Sequence, residues 1–132
     1  MQINKERLVQ TFCEMVSFDS ESYHEKKMKD YLMNIFKECH MECIEMPIEG
    51  FEAGNIYAVL KGHTNKEPII FSGHMDTVSP GKGKQAIIHE DGRITSDETT
   101  VLGADDVSAL ASYIEAIRTI EDNDLPHGDI EL

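Results

Sequence analysis

Pro68-Ile69-Ile70-Phe71-Ser72-Gly73-His74-Met75-Asp76-Thr77-Val78 begins as a short apolar run and ends in polar side chains. An apolar run bounded by turn residues reads as a buried strand. In open α/β sheets, the carboxyl ends of such strands are where ligands bind. His74 and Asp76 stand two apart, so on extended backbone their side chains point to one face. A neutral imidazole there can take a zinc ion on one nitrogen while a carboxylate fixes the ring through the other. A lone His-x-Asp triplet is weak support for catalysis. Its place at a strand end, ahead of a Thr-Val-Ser-Pro-Gly turn, adds weight.

Outward from this stretch, the periodicity changes with each segment. Leu8, Val9, Phe12, Met15 and Val16 form an apolar stripe at helical spacing, so a helix is expected from about Asn4 to Phe18, with Asn4 as its cap. Ser22-Tyr23-His24-Glu25 has the form of a capping box. The helix expected behind it buries Met28, Tyr31, Leu32, Ile35, Phe36 and Cys39. Glu42 to Met46 alternates like a half-exposed strand, and Asn55 to Lys61 reads as another buried one. Ala86-Ile87-Ile88 and Arg93-Ile94-Thr95 flank an Asp91-Gly92 turn, which predicts a hairpin. A third helix is expected over Asp106 to Ile120, then a loop, then an alternating strand starting at Asp129.

The order α-α-β-β-β-hairpin-α-β predicts an α/β layer architecture: a mixed sheet flanked by helices. The third helix would be a crossover, whose purpose is to place the strand after it. A chain whose last residues enter that strand is expected to be the front part of something larger, with an incomplete sheet. The alternative is a whole domain whose last strand is a short edge.

Composition narrows the partners. The chain has 132 residues, 25 Asp+Glu against 12 Lys+Arg, a formal net charge of −13, and 40% hydrophobic residues. That charge disfavours nucleic acid, which needs clustered Lys and Arg, and anionic membrane surfaces, which repel acid. It favours cations, including metal ions and peptide N-termini. The longest apolar run, Ile56 to Leu60, is five residues, against about 18–20 for a membrane span. No secretory signal pattern stands at the N-terminus, and Cys13, Cys39 and Cys43 do not form a disulfide framework. A reducing cytoplasm is the expected location.

A second segment bears on chemistry: Thr100-Val101-Leu102-Gly103-Ala104-Asp105-Asp106, at the mouth of the third helix. Adjacent carboxylates repel unless a cation neutralises them. Helix N-termini also favour acids, so a solvated pair of capping acids is the plainer reading of this segment taken alone. Together with Gly73-His74-Met75-Asp76-Thr77-Val78, Ser96-Asp97 and His127-Gly128-Asp129-Ile130-Glu131-Leu132, it resembles the zinc-dependent exopeptidase family that includes peptidase T, carboxypeptidase G2 and the aminoacylases. The match is closer to the peptidase T-like tripeptide aminopeptidases and covers essentially the whole chain.

The resemblance implies a role for each matching residue. His74 would ligate one zinc ion, Asp76 would orient His74 as part of the catalytic apparatus, and Asp105 would bridge two zinc ions. It also implies a cis Asp105–Asp106 peptide and, in the complete enzyme, hydrolysis of short peptides by a hydroxide held between two Zn²⁺. The family's paired glutamates, a further Asp, a final His and a lid or dimerisation domain lie beyond the strand that begins at Asp129. The 132 residues alone are therefore expected to bind zinc weakly and to be inactive. Glu98 and Val107 depart from the family's usual Gly and Lys, which bears on substrate preference.

Other readings are an amidohydrolase or deacylase of the same family, and an acidic receiver-type signalling module. A non-catalytic relative is a third. A receiver has its acid pair at the end of its first strand, whereas here the pair comes late and no Lys follows Asp106. The remaining residues read as structural. Cys39-His40-Met41-Glu42-Cys43 matches no standard zinc spacing and reads as packing. Gly81-Lys82-Gly83-Lys84 reads as a basic, flexible loop, not a phosphate cradle.

Overall fold

The computed structural model describes residues 2–132, which form three helices and six strands. In chain order these are α1 (Lys5–Val16), α2 (Lys26–Glu38), β1 (Glu42–Met46), β2 (Asn55–Leu60), β3 (Ile69–Ile70), β4 (Ile87–Ile88), β5 (Ile94–Thr95), α3 (Ala104–Asp122) and β6 (Ile130–Glu131). The mixed α/β arrangement agrees with the sequence. Among the described residues no helix is long and apolar enough to cross a membrane.

The main sheet has the order β1-β2-β6-β3. β1 and β2 run antiparallel in the register Ile44 opposite Tyr57, and β6 pairs antiparallel with β2 through Leu60 and Ile130. On its other side β6 pairs parallel with β3, Ile69 facing Ile130. The strand at Asp129 is thus interior to the sheet, not the short edge of the alternative reading. β3 takes the edge instead. Its run is shorter than expected and is not buried: Ile69 and Ile70 are 56% and 70% exposed. An edge strand lacks a neighbour on one side, which leaves its side chains less covered. β4 and β5 form a separate hairpin around Asp91-Gly92, with Gly92 in the left-handed region at φ +86.

One face of the sheet is covered by the helices. Ala58, Leu60 and Ile130 join Met15, Met28, Leu32 and Ile114 in a single apolar core. On the other face Ile44 and Tyr57 point outward. Asn4 caps α1 as expected, its side chain accepting from the Arg7 amide at 3.0 Å. The capping box at Ser22–Glu25 does not form: α2 begins at Lys26 and no side chain caps it. The Glu25 carboxylate instead accepts from the Tyr23 amide, and the Ser22 hydroxyl is drawn away to a partner far along the chain.

α1 lies against α3, and a partly buried ion pair links them. The Arg7 guanidinium grips Glu115 with Nε to Oε2 at 2.7 Å and Nη2 to Oε1 at 3.0 Å, while Nη1 reaches Asp122 at 2.8 Å. Glu115 is 3% exposed and also accepts the Asn4 amide. Burial pushes its carboxyl upward, but Arg7 and the Asn4 amide outweigh this and hold it below the ordinary glutamate value. A folded-state value below the unfolded one means stability that is present above about pH 4.5 and lost as pH falls through the folded value.

At the mouth of α3, Gly103 adopts φ +76 and precedes two residues that are not yet helical, Asp105 (φ −94, ψ 105) and Asp106 (φ −114, ψ 22). Regular helix therefore starts close to the expected Asp106. The Asp105–Asp106 peptide is cis, as the resemblance implies.

Two outcomes follow for urea unfolding. Arg7→Met strands a buried carboxylate and lowers stability at neutral pH on the order of 3 kcal/mol. The gap to the parent should narrow below about pH 4, where glutamate protonates; a gap independent of pH would contradict the pairing. Gly103→Ala should lose about 1–2 kcal/mol from the left-handed backbone, plus a packing penalty, because its Cβ would sit 2.9 Å from Thr77 Cγ2 and 3.2 Å from Lys84 Cδ. Gly92→Ala, also left-handed but in open space, should lose only the first part. Equal losses would contradict the tight approach at Gly103.

Candidate metal centre

The β3–α3–β6 connection explains where the candidate residues meet. A helix that returns to lay down a parallel neighbour must start at the edge of the sheet where the first strand ends. His74 follows β3, and Asp105 opens α3, so both stand at that edge. The His74 ring lies between two acids. Its Nε2 is 3.1 Å from Asp105 Oδ1, and its Nδ1 is 3.0 Å from Asp76 Oδ1 and 2.9 Å from the Asp76 carbonyl. The His74 amide donates to Asp106 Oδ2 at 3.4 Å. Gly73 makes this approach possible, since a Cβ there would lie 2.8 Å from the same Asp106 oxygen.

The imidazole is half exposed and the Asp105 side chain is 96% exposed, so the pair opens to solvent. Partial burial alone would lower the imidazole pKa. Hydrogen bonds from the ring to Asp105 and Asp76 overcome it and hold the ring above its ordinary value. The Asp76 carboxyl is held below its ordinary value, chiefly by the Ser22 hydroxyl, which donates to Oδ2 at 2.6 Å. The cluster therefore favours positive charge at the Nε2–Asp105 gap.

The donor set fits zinc in part. Two ligands at about 2.0–2.1 Å from one tetrahedral ion lie roughly 3.3 Å apart, close to the 3.1 Å between His74 Nε2 and Asp105 Oδ1. Asp76 on the other ring nitrogen completes the carboxylate–histidine arrangement that metal-binding histidines use. Among the described residues no group of three or more His, Cys, Asp and Glu side chains could hold an ion. Beside His74 a cleft of about 540 Å³ is lined by Tyr23, Phe36, Phe51, Phe71 and Leu110.

Two supports were not legible in the sequence. Ser22 looked like a helix cap, because Ser-x-x-Glu is a local pattern and its actual partner is 54 residues away. Lys84, expected in a flexible loop, is 2% exposed. Its ammonium donates to the Phe18 carbonyl at 2.6 Å and the Gly81 carbonyl at 3.1 Å, pinning the loop after Asp76 to the end of α1. Burial lowers its pKa. The alternating glycines concealed this, since they read as mobility. Cys39 packs in the core as expected.

No family model matches the chain. It is 39% identical to the uncharacterised protein YqjE of Bacillus subtilis over 98% of its length, which is 35% of that protein. Among solved structures, it superposes on the aminopeptidase PepT of Bacillus cereus with a TM-score of 0.92 at 42% identity, covering 98% of this chain and 35% of that one. A tripeptidase of Staphylococcus aureus gives a TM-score of 0.94 at 33% identity, over 99% of this chain and 36% of that one. The chain thus spans about a third of the length of the relatives it matches. This likeness over nearly every residue leaves no place for the receiver-type reading. By sequence and by fold, the chain resembles about a third of a peptidase T-like peptidase.

Proposed function

We propose that this chain carries one side of the active centre of a di-zinc aminopeptidase that hydrolyses short peptides. The observation that carries the proposal is the meeting of His74 and Asp105 at 3.1 Å, in a chain that matches an aminopeptidase and a tripeptidase along its length. In this reading His74 would hold zinc through Nε2, Asp105 would be the carboxylate ligand the two ions share, and Asp76 would orient the ring. When bound, zinc supplies Lewis-acid polarisation of the scissile amide and lowers the pKa of a water.

The chain's own residues do the preparatory work. Asp76 accepts a hydrogen bond from Nδ1–H in the neutral ring, and that tautomer leaves the Nε2 lone pair directed at the Asp105 side. Asp105, on non-helical backbone at the mouth of α3, offers a solvent-exposed carboxylate. The acidic surroundings favour binding of cations, including the ammonium end of a peptide. The apolar walls of the adjacent cleft suit a peptide side chain.

Two ligands are fewer than the three protein ligands that catalytic zinc usually takes. We therefore read the 132 residues as a partial catalytic domain. The general-base glutamate and the remaining ligands would be supplied by sequence outside them, so weak zinc binding and no turnover are expected of this chain by itself. The whole protein would act in the cytoplasm on short peptides.

Calorimetric titration of zinc into the chain tests the metal assignment. His74→Ala and Asp105→Asn should each weaken binding by more than about tenfold, since losing a ligand costs more than losing the partner of a ligand. Affinities equal to the parent would remove the assignment. A tripeptide assay on the same zinc-loaded chain should show no turnover above buffer, and measurable turnover would mean the base lies within these residues.

A further inference from the structure

We propose that Ser22 is a positioning residue for the metal centre: through Asp76 it fixes the orientation and tautomer of the His74 ring, keeping Nε2 free on the Asp105 side. The inference rests on the reading of His74 as a metal ligand and extends it to a segment remote in sequence. Asp76 divides its two oxygens. Oδ2 accepts the Ser22 hydroxyl at 2.6 Å and Oδ1 faces His74 Nδ1 at 3.0 Å. The terminal torsion of an aspartate is broad and roughly two-fold, so a carboxylate held at one oxygen alone can swing away from the ring. A second anchor on the other oxygen removes that freedom.

The backbone makes the anchor possible. The Thr77 amide donates to the Ser20 carbonyl at 2.8 Å, and Glu21 pairs with Thr77 in a parallel bridge, so residues 20–22 lie alongside 76–77 like a short extra strand. Glu21 Oε1 accepts the Gly81 amide and Asp19 Oδ1 accepts the Gly83 amide, each at 2.7 Å, clamping the loop that follows. Ser22 is spared from helix capping, since no side chain caps α2. The Asp76 carboxylate and carbonyl present two acceptors to Nδ1 against one from Asp105 at Nε2. In the neutral ring this favours the proton on Nδ1 and leaves Nε2 open to a cation.

Nitrogen-15 spectra of the His74 ring at about pH 9, well above the ordinary imidazole value near 6.5, read the tautomer without metal or substrate. The parent chain should show predominantly Nδ1–H. Ser22→Ala should shift the balance towards Nε2–H by about tenfold, the equivalent of one hydrogen bond to a charged acceptor. Ser22→Thr, which keeps the hydroxyl, should resemble the parent. Zinc affinity should fall about tenfold in Ser22→Ala and hold in Ser22→Thr. The inference is overturned if Ser22→Ala leaves tautomer and affinity unchanged, or if the parent ring is mainly Nε2–H, a result that needs no variant to fold. A tautomer that follows Ser22 while zinc binding ignores His74 would uphold the positioning and sink the metal reading instead.

Discussion

The crossover from β3 through α3 to β6 is the constraint on which the site depends. β6 is only two residues long, yet it pairs with β2 on one side and β3 on the other, and so joins the two halves of the sheet. For β6 to lie parallel to β3, the chain must travel back along α3, which therefore begins at the edge where β3 ends. A residue just past β3 and a residue at the start of α3 then share one edge of the sheet. His74 and Asp105 are those residues, 31 positions apart in sequence and 3.1 Å apart in space. The Arg7–Glu115 pair holds α1 against the same helix and so secures the crossover from the other side.

Electrostatics then decide what the edge can hold. Asp76 and Asp105 flank one imidazole, and Asp106 accepts from the amide of the same residue, in a chain whose net charge is −13. Such a concentration of acid is unfavourable without compensation. Part of it is supplied by hydrogen bonds from Ser22 and the His74 amide, and part by the ring itself. A metal ion would supply the rest. The linker at residues 18–22, between two helices and with no regular structure of its own, touches the site at several points: Phe18 and Lys84, Asp19 and Gly83, Glu21 and Gly81, Ser22 and Asp76. It serves as the frame of the loop after His74.

Much of this was legible from the residues. Helices with a continuous apolar stripe, such as Phe12-Met15-Val16 and Leu110-Ile114-Ile117, are dictated by local periodicity and came out near their expected limits. The Asp91-Gly92 turn followed from turn chemistry, whereas the convergence of His74 with Asp105 was implied by the family resemblance. What escaped was non-local. The exposure of Ile69 and Ile70 depends on which neighbours β3 has, and an apolar run does not state them. Ser22 carries a local signature for capping, and a contact with Asp76 outcompetes it. Lys84 sits among glycines that suggest mobility, while its ammonium satisfies two backbone carbonyls.

Anomalous diffraction at the zinc edge, from crystals of the chain grown with zinc, tests the central claim most directly. The account predicts a peak about 2.0–2.2 Å from both His74 Nε2 and an Asp105 oxygen, with Asp76 still on the opposite ring nitrogen. A peak elsewhere on the surface, with the His74–Asp105 gap closed and empty of metal, would contradict it.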